Sequence, residues 1–123
     1  MRRYLLFVLP FLLSMAEPLR TDTKISLLVI DAAGKEHLLN GPVCDGRPFL
    51  PVREGLVEYV VSFSQLSRGV VLRKEGKDLV MRLTFKDGRE EEVRVSADTF
   101  CRASSPIGRA SFYLKDIKEI QVR

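Results

Sequence analysis

Cys44, Cys101 and His37 are the residues of this 123-residue chain best suited to nucleophilic, redox or metal chemistry, because the sequence holds only two Cys and one His. A hydrolase of the acyl-transfer kind needs a Ser or Cys nucleophile, a His base and an orienting carboxylate. His37 sits in Lys35-Glu36-His37 just after a Gly turn, the setting of a surface strand residue. No G-x-S-x-G elbow, C-x-x-C pair, P-loop or dinucleotide fingerprint is present. Two Cys and one His are too few for a multi-Cys zinc module or a multi-histidine metal centre. Glu54 with Glu58, or Asp45 with Asp98, could face each other as a glycosidase pair. Among 16 acidic residues, however, such pairs arise by chance. No catalytic, cofactor-binding or metal-ligating set is expected, and the chain reads as non-enzymatic; the alternative is a small cell-envelope enzyme, a hydrolase or a thiol-chemistry enzyme, using loop carboxylates or Cys44 and Cys101.

What remains is a cluster of loop residues. Arg47, Phe49 and Arg53 lie in one Pro- and Gly-rich stretch, and Phe100, Arg102 and Arg109 in another. Guanidinium groups beside aromatic rings bind anions, sugars or protein surfaces. If Cys44 and Cys101 pair, these six residues form an expected patch for an envelope or extracellular protein, or for an anionic or carbohydrate ligand.

The pairing is expected because of where the chain is sent. Arg2 and Arg3 precede an uncharged apolar run, Tyr4 to Leu13, and Ser14-Met15-Ala16 supplies small residues before Glu17. This is the three-part layout of a secretory signal peptide, with cleavage after Ala16. The run is about half the ~20 residues that span a bilayer as a helix, and Pro10 interrupts it. No transmembrane helix is expected after processing. Residues 1–16 are thus a signal peptide and 17–123 the mature domain, exported to the periplasm or the extracellular space. That compartment is oxidising, and two cysteines there form a disulfide more readily than a reactive thiol. Losing the two leader arginines lowers the formal charge from +4 to +2, too little for general attraction to nucleic acid. The composition is thermophile-like: Asn40, Gln65 and Gln121 are the only amides, among many Glu, Lys and Arg.

The elements that must position these residues are strands. Ile25 to Ile30 is apolar on both faces; Leu56 to Phe63 alternates. Leu79, Met81, Leu83 and Phe85 alternate with Val80, Arg82, Thr84 and Lys86 ahead of the Asp87-Gly88 turn. The stretches Gly41 to Gly55 and Ser96 to Gly108 read as long irregular loops. Roughly seven or eight short strands give an all-β fold, a small β-sandwich or a partly closed barrel. The order of events repeats, in approximately 24–73 and 78–122. Gly34 answers Gly88, Cys44 answers Cys101, Gly55 answers Gly108 and Leu66 answers Ile117. Each half alone is too small for a good core. The expectation is therefore one β-domain of two similar halves packed about a pseudo-two-fold axis, with the cysteines meeting near it. The order strand–Gly–strand–loop–strand–short turn–strand resembles SH3-like and Sm-like small barrels, one half at a time, and carries no functional residue across. Unpaired strand edges leave a homo-oligomer open.

Overall fold

The computed structural model describes residues 25–123. The expected leader and cleavage point lie outside the described residues. Ten strands follow one another: β1 (Ser26–Asp31), β2 (Glu36–Cys44), β3 (Phe49–Glu54), β4 (Val57–Ser62), β5 (Leu66–Glu75), β6 (Asp78–Phe85), β7 (Glu90–Ser96), β8 (Phe100–Ser105), β9 (Gly108–Tyr113) and β10 (Ile117–Val122). Two short 3-10 turns, Phe63–Gln65 and Leu114–Asp116, link β4 to β5 and β9 to β10. The fold is all-β, as the alternation predicts.

The strands form one sheet in the order β4-β3-β7-β6-β5-β10-β1-β2-β8-β9, and all neighbours run antiparallel. The sheet cannot lie flat. Only Phe63–Gln65 separates β4, at one margin, from β5, four places away, so the sheet between them must curl. Leu114–Asp116 imposes the same curl between β9 and β10. Of the two architectures expected, the partly closed barrel is the one formed.

Exchanging β1–β5 for β6–β10 turns the sheet order into itself, read backwards. From β3 onward a single shift of 51 positions relates the copies, as it relates Arg68 to Glu119, Phe49 to Phe100 and Phe63 to Leu114. The core repeats with it. Leu27 and Met81, Val29 and Leu83, Leu39 and Val93, Phe63 and Leu114, and Leu66 and Ile117 are equivalent and all buried, in one continuous cluster.

Neither repeat, β1–β5 or β6–β10, closes on its own strands, a correction to the likeness drawn one repeat at a time. β3 and β4 pair onward to β7, whereas β8 and β9 pair onward to β2. The chain lays down β1 and β2 of a host half, crosses over, builds all five strands β3–β7 of an inserted half, and returns to finish the host half with β8–β10. The first crossing is a tight turn: Asp45 (φ 50) and Gly46 (φ 78) take the left-handed conformations of a two-residue hairpin turn, and Cys44 and Arg47 exchange backbone bonds of 2.7 and 3.0 Å.

Both supposed loops contain strands. β2 runs through Gly41 and Pro42 because its register shifts between Asn40 and Val43. A bulge there needs no ladder bond from the proline nitrogen, and Gly41 supplies φ 62. Pro51 stands in β3 opposite Val60, while β3 meets its other neighbour at Arg53 and Arg94 alone. β8 likewise fills half of Ser96 to Gly108.

Candidate functional site

Cys44 and Cys101 stand directly opposite each other on β2 and β8. Their sulfurs are 2.06 Å apart, at disulfide distance, and both residues are buried. Their place differs from the one expected. They are not equivalent under the repeat: Cys101 matches Leu50, one residue into β3 as Cys101 is into β8. The pseudo-axis passes between β5 and β10 instead. The cysteines mark the neck, where the chain leaves the host half and where it comes back. Asp45 reinforces that neck. Its amide donates to the Phe100 carbonyl (2.8 Å) and its Oδ1 accepts from the Phe100 amide (3.1 Å).

Above the neck, the host half opens into a cleft of about 760 Å³. Its apolar surfaces come from Leu38 and Leu39 of β2, Ile107 at the β8–β9 turn, Phe112 of β9 and Ile117 of β10. Five consecutive residues of β9, Arg109 to Tyr113, line it, and β9 is an outermost strand whose far side has no partner among the described residues. Two cleft positions are smaller than their equivalents in the inserted half: Ala110 where that half has Tyr59, and Asp31 where it has Phe85. Ala110 leaves room at the host mouth that a tyrosine there would occupy.

One polar pair borders the cleft. His37 Nε2 donates to Asp31 Oδ2 at 3.0 Å, with side chains 41% and 31% exposed. Asp31 Oδ1 accepts from the amides of Ala33 and Lys35, each at 2.9 Å. The His37 hydrogen bond first, then the backbone donors, hold the Asp31 carboxyl below its ordinary range. The carboxylate thus closes the β1–β2 turn and fixes the imidazole at the cleft rim. His37 alternates with buried Leu39 on β2, and that spacing could have marked it as cleft-facing. Asp31 left no such signal, since it reads as ordinary turn chemistry.

The six residues expected to form one patch are divided. Phe100 borders the cleft, packs against Tyr113 in a tilted arrangement (centroids 5.1 Å apart, planes at 54°) and lies beneath the Arg102 guanidinium at 5.6 Å. Arg109 borders the same cleft. Arg47 and Phe49 share a separate, smaller groove with Glu58. Arg53 bonds Asp78 across the sheet of the inserted half.

With this geometry in view, similarity places the chain. The family model that matches it covers residues 21–123 and is described as an uncharacterised protein. The chain belongs to that family. A protein of Aquifex aeolicus (strain VF5), described as an uncharacterized protein, is 41% identical over 122 residues, covering 97% of this chain and 92% of its own length. The family span includes both cysteines and every residue that lines the cleft. Among the described residues, no helix is long and apolar enough to cross a membrane.

Proposed function

We propose that the chain is exported and works as a non-enzymatic binding module of the cell envelope, holding an extended partner segment along β9 with a side chain in the cleft. The observation that carries this reading is the coincidence of an apolar cleft with a strand edge that no described residue pairs. An extended segment added to a sheet edge gains main-chain hydrogen bonds along the strand and selectivity from the pocket beside it. Export is supported by the leader and by the cysteine pair at bonding distance, which suits an oxidising compartment.

A second reading, a small envelope enzyme, draws on the Asp31–His37 pair. Against it, no Ser or Cys is hydrogen-bonded to His37 among the described residues, and the two sulfurs face each other rather than a substrate.

Capture from envelope extract tests the binding role. Wild-type protein is expected to retain a defined set of proteins that Ala110→Trp, which fills the cleft, releases. An unchanged set would refute cleft binding. Hydrolase activity lost in His37→Ala would favour the second reading.

A further inference from the structure

We infer that the segment bound along β9 is β4 of a second copy of this chain, so that copies join head to tail by continuing the sheet. The inference rests on the cleft being a strand-binding site and names its occupant.

β4 and β9 are the two outermost strands, each six residues long. They occupy equivalent places in the two halves. The molecule already joins one pair of equivalent strands, β5 and β10, and that seam shows what such a junction uses. Gly69 lies opposite Ile120, Arg68 opposite Gln121 and Val70 opposite Glu119. A small residue faces a large one on the core side, where a Cβ on Gly69 would press on Ile120, Leu83 and Met81. On the other side, the diagonal pair Arg68–Glu119 carries opposite charges bonded at 2.8 and 3.1 Å.

The free edges repeat this pattern. Aligned antiparallel as at the seam, Tyr59 comes opposite Ala110, Glu58 opposite Ser111 and Val60 opposite Arg109. Tyr59 and Ala110 both project to the core side, because their hairpin partners Val52 and Ala103 are buried. A large residue again meets a small one, and the small one lines the cleft. Glu58 and Arg109 become the diagonal charge pair. Neither makes an ion pair among the described residues. Val57, Tyr59 and Val60 are 53%, 49% and 52% exposed. An edge so apolar, with a single charge, invites pairing rather than preventing it. Two different surfaces meet, so the contact is heterologous, and each added copy leaves a fresh β4 and β9 at its ends.

Light scattering of the purified exported chain across a concentration series tests this. Wild type is expected to assemble beyond the monomer. Glu58→Arg and Arg109→Glu, each alone, bring like charges together and should raise the concentration for half-assembly about tenfold or more. Mixing the two variants re-creates both opposite-charge junctions in alternation and should restore assembly, which a misfolded variant cannot do. Wild type that stays monomeric throughout, or assembly indifferent to either reversal, overturns the inference. Monomeric wild type whose envelope partners are still released by Ala110→Trp overturns self-assembly and leaves the binding function standing, with another envelope protein on β9.

Discussion

Gly69 and Ile120 hold the same place in the two halves and face each other across the β5–β10 seam. Identical residues there would either collide or leave a void. A Cβ at Gly69 would sit 3.2 Å from Ile120 Cγ1, 3.2 Å from Leu83 Cδ2 and 3.3 Å from Met81 Cε. Space, not backbone conformation, is what favours glycine here: with a Cβ in place these side chains would have to give by a few tenths of an ångström. The neighbouring equivalents Arg68 and Glu119 have diverged in charge and bind each other. The seam is complementary because the two halves carry different residues there.

Gly69→Ala is expected to destabilise the fold by about 1–3 kcal/mol, the usual cost of crowding a packed core. Ile120→Ala is expected to cost about 2–5 kcal/mol through the cavity it opens. Combined, the two should cost less than their sum, because the new methyl enters the space that Ile120 vacates. Urea denaturation of the two single variants and the double variant measures this. Strict additivity would show that the residues do not compete for one space.

Acid should weaken the protein through a small set of carboxylates. The Arg68 guanidinium holds Glu119 below its ordinary value of 4.5, and Arg73 and Arg94 do the same for Glu75. Asp31 and Asp87 lie below their ordinary 3.8, through the His37 hydrogen bond and the Arg89 backbone respectively. At pH values between the native and the unfolded pKa, the unfolded chain binds more protons, so stability rises with pH there. The contribution is complete above about pH 5 and is lost as pH falls through the lowered native values. Thermal melts from pH 6 down to pH 2 should show this decline, less steep in Glu119→Gln. An unchanged slope would remove Glu119 from the account.

The strands with clean alternation were legible in the sequence, since Leu79, Met81 and Leu83 announce a buried face by spacing alone. β3 and β8 were not. Pro51 and the Ser-rich run around Ser104 read as loop, because a strand pinned at one residue to a neighbour, or carrying a polar outer face, lacks the usual signals. The exchange of strands between halves was invisible for a different reason. Periodicity reports which face a residue takes, not which strand lies beside it. The cysteine pair was expected from a leader-like segment read in the sequence, and the sulfurs do lie at disulfide distance, whereas their position at the neck depends on that exchange. Asp45-Gly46 carried the same turn signal as Asp87-Gly88 and could have revealed the crossing. The cleft depends on Ala110 being small where Tyr59 is large, a difference that acquires meaning only when the two positions are aligned.

Processing after Ala16 predicts a mature chain that begins at Glu17. N-terminal sequencing of exported material should read Glu-Pro-Leu-Arg. Replacing Ala16 with a bulky residue removes the small side chain that a signal peptidase reads, so precursor should accumulate. Exported protein that still begins at Met1 would show that the segment is retained.

The neck predicts how the sulfur link matters. Cys44 and Cys101 are 57 positions apart, and the loop between them contains the entire inserted half. Closing a loop of that length stabilises by about 4 kcal/mol in the chain-entropy model, a large share of the ~5–15 kcal/mol typical of a domain. Without the link, β2 and β8 depend for their register on Asp45 and on a short ladder broken by the bulge. The Cys44→Ala, Cys101→Ala double variant should therefore unfold at markedly lower denaturant, by about 4 kcal/mol. Wild type in reductant should move the same way, once unfolding exposes the buried sulfurs. Exported protein should weigh two hydrogen masses less than its reduced form. A full-mass exported chain, or a double variant as stable as wild type, would show that the hydrogen-bonded neck holds without the sulfur bond.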